Sequence, residues 1–164
     1  MSWSETIKIN SDMTVSLDKL IKSAKSELID LINSQRSLGA SDSVMKVISS
    51  TEVKVNNDER TKEIGRFTCH KNGSVRIKWD MRARSGGNYT SSVRFYVTDL
   101  SGGIIFAEST DTDETQDWVN RSKDISVKSD TTYIIYGELD SVNGYGYFNN
   151  VNVCATVIDA SFIS

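Results

Sequence analysis

Between residues 73 and 83 every second side chain is apolar: Val75, Ile77, Trp79 and Met81. The residues between them, Arg76, Lys78, Asp80 and Arg82, are all charged. A period of two sends successive side chains to opposite faces, so this stretch is written for a strand with one dry and one wet face. Val93, Phe95 and Val97 repeat the pattern. The chain contains no proline, so its turns fall to Gly, Asn, Asp and Ser. Clusters of those residues lie at 71–73, 85–88, 101–103, 128–130 and 142–146. Strands are expected near 44–48, 51–56, 63–69, 73–83, 91–99, 103–109, 115–127, 131–139 and 150–163. With no helix between them, they predict an antiparallel β-sandwich of jelly-roll type.

The first forty residues follow another rule. Residues 3–9 alternate at Ile7 and Ile9, and Asn10, Ser11 and Asp12 read as a break. A helix is expected over 16–38, with Ser16 as N-cap, Asp18 in the first turn and Gly39 just past the end. Leu17, Ile21, Ala24, Leu28, Leu31 and Leu38 recur by steps of four and three, with Gln35 at the polar step. That is a narrow seam with a period of about 3.5 residues. Leu20, Ile29 and Ile32 widen its flanks. Such a helix either packs on its own domain or meets copies of itself or a larger particle. Residues 39–43 are small and polar and read as a linker. The expected organisation is therefore a helical anchor or oligomerisation segment over 1–40 and a sandwich over 44–164.

Composition excludes several functions. With a net charge of −3 and bases alternating with apolar residues, no basic face for nucleic acid is expected. No apolar run reaches the length of a membrane span, and residues 1–6 lack the pattern of a secretory signal, so folding in a cytoplasm is expected. In that compartment Cys69 and Cys154 read as buried, reduced thiols. The only histidine, His70, adjoins Cys69, and neighbours in a strand point to opposite faces, which makes a poor nucleophile–base pair. No zinc spacing, phosphate loop or catalytic constellation is present, so no enzyme, cofactor or metal is expected. Asp111, Asp113, Glu114 and Asp117 gather carboxylates, but without the glycine and terminal glutamate of a calcium loop.

The strongest candidate for recognition is the stretch 140–150, where Tyr145, Tyr147 and Phe148 stand among Asn and Gly. Rings of this kind stack on sugar faces, build protein contacts, or fold back onto the sandwich edge. Trp118 and Tyr89 are candidates to join the same surface.

Two stretches carry a family resemblance. Trp3-Ser-Glu5 and Lys8-Ile-Asn-Ser11, leading into Leu17-Asp-Lys-Leu-Ile21, look like the start of minor virion proteins of tailed phages infecting Gram-positive bacteria. Residues 72–81, 92–97, 118–128 and 133–136 are similar to β-sandwich modules of phage tail and appendage proteins. The resemblance implies a non-enzymatic virion component of the tail, neck or capsid, made in the host cytoplasm. The partners this implies are other virion proteins. The helical seam points separately to further copies of the chain, most simply as a trimer, and the aromatic stretch 140–150 to host surface glycan as a ligand. The alternative is a carbohydrate-binding adhesin or receptor-binding module, or a capsid decoration or head-fibre protein.

Overall fold

A computed structural model describes residues 3–34, 36–85, 90–111, 117–141 and 143–158. The elements are helix α1 (Trp3–Ser34) and nine strands: β1 (Ser37–Ser49), β2 (Val53–Val55), β3 (Thr61–Cys69), β4 (Gly73–Arg84), β5 (Ser92–Asp99), β6 (Ile104–Asp111), β7 (Val119–Val127), β8 (Thr131–Leu139) and β9 (Tyr145–Ile158). The helix belongs to one compact unit, and Ser37–Ile158 form the other.

The second unit is a β-sandwich of two sheets, ordered β2-β9-β1-β4-β7 and β3-β8-β5-β6, with β9 also paired directly to β4. Without β1, the orders are β2-β9-β4-β7 and β3-β8-β5-β6, which is the jelly-roll arrangement. Strand β1 is an addition to it. It runs antiparallel to β9 through three register shifts and makes one parallel pair with β4, Leu38 opposite Gly73.

The period of two seen in the sequence builds the core. Val75, Ile77, Trp79, Met81 and Ala83 of β4 are wholly buried, as are Val93, Phe95 and Val97 of β5. Ile135 and Leu139 of β8 and Phe148 and Val151 of β9 complete the layer. Two glycines admit close approaches. At Gly137 a Cβ would lie 2.3 Å from the ring of Phe148. At Gly73, with φ +146°, it would lie 2.0 Å from the carbonyl oxygen of Leu38.

Three expectations are corrected. The helix begins at Trp3 rather than near residue 16, so residues 3–9 are not a strand and 10–12 do not break it. Asn, Ser and Asp each cost a helix interior well under about 1 kcal/mol, and neither Gly nor Pro is present to end it. At the other end, Leu38 does not continue the helical seam; it is a buried residue of β1, 5% exposed. Gly39 and the expected linker 39–43 are likewise inside β1: Gly39 and Ala40 pair with Thr156 and Ala155 of β9, and residues 41–43 form an irregularity before pairing resumes at Val44. Gln35 lies outside the described residues. Finally, β9 starts at Tyr145, so most of the expected 140–150 loop is strand.

The Gly137 contact gives a test of the core. Gly137→Ala should drive the new methyl into the Phe148 ring and destabilise the sandwich by about 1–3 kcal/mol. Urea denaturation would measure it, and an unchanged midpoint would show that the ring can move aside freely.

Candidate functional site

Alternation decides which rings of β9 are available. Tyr145 and Tyr147 face outward on the five-stranded sheet, while Phe148, after the turn of the pleat, is 0% exposed. Phe148 is therefore core and leaves the candidate ligand set. Its partners there are Phe95, with ring centroids 6.1 Å apart, and the backbone of Gly137, against which the ring packs.

The outward rings join one cross-strand row. Lys54 of β2 lies opposite Tyr147, and Tyr147 lies opposite Arg82 of β4. Met81 pairs with Val119, so Trp118, one residue earlier, stands next to Arg82. The row reads Lys54, Tyr147, Arg82, Trp118 across neighbouring strands about 4.8 Å apart. The Arg82 guanidinium carbon is 4.3 Å from the centre of the Trp118 ring and 4.7 Å from that of Tyr147. Its Nη2 donates to Glu52 Oε2 at 2.9 Å. Arg82 is thus fixed between two rings and an acid, and holds both rings upright by cation–π attraction. Beside the row, Tyr145 is opposite Arg84 and 6.4 Å from Tyr147, centre to centre. The Lys54 Nζ sits 4.2 Å over the Tyr145 ring. Tyr145 and Trp118 are 38% and 37% exposed, enough to offer ring surface to a ligand.

Next along the sheet comes a polar row. The carboxylate of Asp80 accepts hydrogen bonds from the side-chain amides of Asn120 and, at 2.6 Å, Asn150. Asn150 has φ +50° and sits where the β4–β9 register shifts, which tips its amide toward Asp80. Asn152 Nδ2 donates to the Asn150 carbonyl at 2.7 Å.

The far end of this sheet is charged. Arg76 donates to both oxygens of Asp124 at 2.7 and 3.1 Å and to Asp42 at 3.2 Å, and Lys78 reaches Asp42 at 2.7 Å. The Lys78 and Arg76 donors hold the Asp42 carboxyl below the usual carboxylate range. Arg76 does the same to Asp124, and is itself held more firmly protonated, by Asp124 first and Asp42 second.

The remaining candidates fall elsewhere. Leu17, Ile21, Ala24, Leu28 and Leu31 lie on α1, and every described side chain of the helix, Met13 to Leu31, is exposed. Cys69 and Cys154 are free and buried in different sheets, and burial pushes both thiols up. His70 is exposed, with Nδ1 3.3 Å from Asp130 Oδ1. Tyr89, Asp113 and Glu114 lie outside the described residues. Among the described residues no three His, Cys, Asp or Glu side chains gather as a metal site, and no helix is long and apolar enough to cross a membrane. A cavity of about 140 Å³ lies between Asp99, Ile105, Val127, Lys128 and Tyr133, away from the aromatic row.

The sequence pointed to Tyr145, Tyr147 and Trp118 but missed Lys54, Arg82 and Asp80 as their companions. Arg82 and Asp80 were legible as members of a wet face. Only the register of β2, β9 and β4 brings them beside the rings.

The unit Ser37–Ile158 is thus a two-sheet sandwich that carries three part-exposed aromatic rings on the outer face of its five-stranded sheet. No protein-family profile matches the chain, and no curated protein matches its sequence. Among solved structures, a CBM4 carbohydrate-binding module is similar, with TM-score 0.51, 13% identity, and coverage of 69% of this chain and 77% of that one. The CBM35 from Cellvibrio japonicus Abf62 follows at TM-score 0.47 and 13% identity, covering 77% and 98% of the two chains. The CBM22-1 xylan-binding domain from Paenibacillus barcinonensis Xyn10C gives 0.38 and 19%, with 62% of each chain covered. At this identity the likeness to the first establishes the sandwich fold alone.

The charged end of the sheet predicts an acid response. The folded carboxyls of Asp42 and Asp124 titrate lower than in an unfolded chain. Their contribution is therefore present above the ordinary carboxylate range and lost as pH falls through their depressed values. Arg76→Met should lower the melting temperature slightly at neutral pH, and the gap from the parent should close in strong acid. A gap that persists there would assign the loss to packing of the arginine stem instead.

Proposed function

We propose that this chain is a non-catalytic glycan-binding module, taking sugar on the outer face of its five-stranded sheet. The observation that carries the reading is the strip of Tyr145, Tyr147 and Trp118, upright and part-exposed beside the Asp80–Asn120–Asn150 row. A pyranose ring presents axial C–H bonds on its faces, which the negative face of an aromatic ring attracts. Its hydroxyls need donors and acceptors at the rim, which amide and carboxylate groups supply. The sandwich likeness to the CBM4 module fits this use but does not specify it. Binding without turnover suits a face that has rings and amides but no nucleophile–base pair among its described residues.

A second reading concerns assembly, and one observation favours it: the apolar seam of α1 is exposed, with Leu17, Leu28 and Leu31 each more than half accessible. On this reading the helix associates with copies of itself, most simply as a trimer, and the sandwich is carried outward. The virion role implied by the sequence resemblance would use the same helix to seat the protein on a particle.

Each reading has its experiment. Tyr145→Ala with Tyr147→Ala should weaken binding on a glycan array about tenfold or more while the melting temperature stays near that of the parent, since both rings are outside the core. Binding that survives the double change would remove the strip from the site. Deleting residues 1–36 should leave a folded sandwich of monomer mass in analytical ultracentrifugation, where the intact chain sediments as an oligomer. Equal masses for the two would dismiss the helix as an assembly element.

A further inference from the structure

The two cations beside Tyr145 differ from every other base placed above on this sheet. Arg76 and Lys78 are matched to Asp42 and Asp124, and Arg82 is matched to Glu52. Lys54 and Arg84 have no acidic partner among the described residues, and both are exposed. Lys54 rests instead on aromatic faces, its Nζ 4.2 Å over Tyr145 and 5.8 Å from the centre of Tyr147. Arg84 stands opposite Tyr145 on the adjacent strand. Uncompensated positive charge therefore flanks one ring, in a chain whose net charge is −3.

We propose that this face selects an anionic glycan, with the carboxylate of a hexuronate residue drawn to Lys54 and Arg84 and the sugar ring stacked on Tyr145. The inference rests on the glycan-binding reading and narrows it. Its physical basis is competition for the ring. The face of Tyr145 is already covered by the Lys54 ammonium. A neutral sugar stacking there must push the ammonium away and lose its cation–π attraction with nothing in return. A sugar bearing a carboxylate pulls the ammonium off the ring into a charge-assisted hydrogen bond, so uncovering the stacking surface and pairing the charge are one event.

Single-stranded nucleic acid also combines anions with flat rings, and cation-plus-aromatic surfaces bind it. It would thread one phosphate per nucleotide past the platform, which calls for a continuous basic track. Here Glu52, Asp80, Asp42 and Asp124 lie along the same face and interrupt any such track. Two cations around one ring suit a single, well-placed carboxylate.

The test uses the full chain and matched pairs of polysaccharides: polygalacturonate with its methyl ester, and hyaluronan with its carboxyl-reduced form. Neutral xylan, galactan and β-glucan, and an oligo-dT strand, complete the set. At low salt, at least one acidic member should bind about tenfold or more tighter than its neutral counterpart. Lys54→Met should abolish that difference, and added salt should shrink it. Lys54 is exposed on β2, so its replacement leaves the core intact, which circular dichroism would check. Equal affinity for acid and neutral partners, or binding to the neutral glycans alone, overturns the anionic preference and leaves the glycan-binding reading standing. Tighter binding to oligo-dT than to any glycan assigns the face to nucleic acid and overturns both. Binding to none of the panel also overturns both.

Discussion

Trp79 of β4 and Phe95 of β5 belong to different sheets, and their rings lie parallel with centroids 4.3 Å apart. Phe106 closes on Trp79 from β6, and Phe148 tilts against Phe95 from β9. The indole N–H is wholly buried and donates to the Met81 sulfur at 2.9 Å, so the one polar atom of the stack has a partner. Truncating either central ring would cost about 3–5 kcal/mol, a large part of the stability of a domain this size. The face depends on this stack indirectly. The rings set the separation and alignment of the sheets, and the rigid five-stranded sheet then fixes the spacing of whatever points outward from β2, β9 and β4.

Much of this was legible in the sequence, for a definite reason. The alternation from Val75 to Met81 and from Val93 to Val97 expresses burial of one face of a strand, which is a local property. It fixed the strands, their inward faces and the sandwich class. The ends of elements were less legible because tertiary pairing decides them. Residues 39–43 look like a linker until β9 offers a ladder, and Asn10 to Asp12 look like a break until the helix on both sides carries through them. Tyr145, Tyr147 and Phe148 show the same limit within four residues. Composition marks all three as one aromatic loop, but once β9 begins at Tyr145 the alternation of the strand turns Tyr145 and Tyr147 outward and Phe148 inward.

The candidate face was half legible. Its rings stand out in the sequence, but its charges do not, since Lys54 and Arg82 lie far from Tyr147 along the chain and meet it only through register. What distinguishes them is compensation. An arginine held between two rings and a glutamate is a fixture of the surface, because its charge is already spent on neighbours. A lysine resting on a ring with no acid nearby keeps its electrostatic field available. A cation on this face therefore reads as support at Arg82 and as recognition at Lys54, with only β9 between their strands.

The helix and the sandwich obey different periods, which bears on how such a protein would work. A seam repeating about every 3.5 residues turns one helical stripe toward a partner of the same kind, whereas the period of two closes the sandwich on itself. A site built on three part-exposed rings would offer only a few kcal/mol of contact before the cost of ordering the ligand is subtracted, so a single copy would hold a glycan weakly. Polysaccharides repeat the same epitope along one chain. If α1 gathers several sandwiches, each engaged copy raises the local concentration of the next, and avidity can exceed the single-site affinity by about 10²–10⁴ without any new contact. On that argument the exposed seam and the modest aromatic strip are complementary. Weak sites that release quickly would let such a cluster shift along a polymer, and the helix would set how many of them act together.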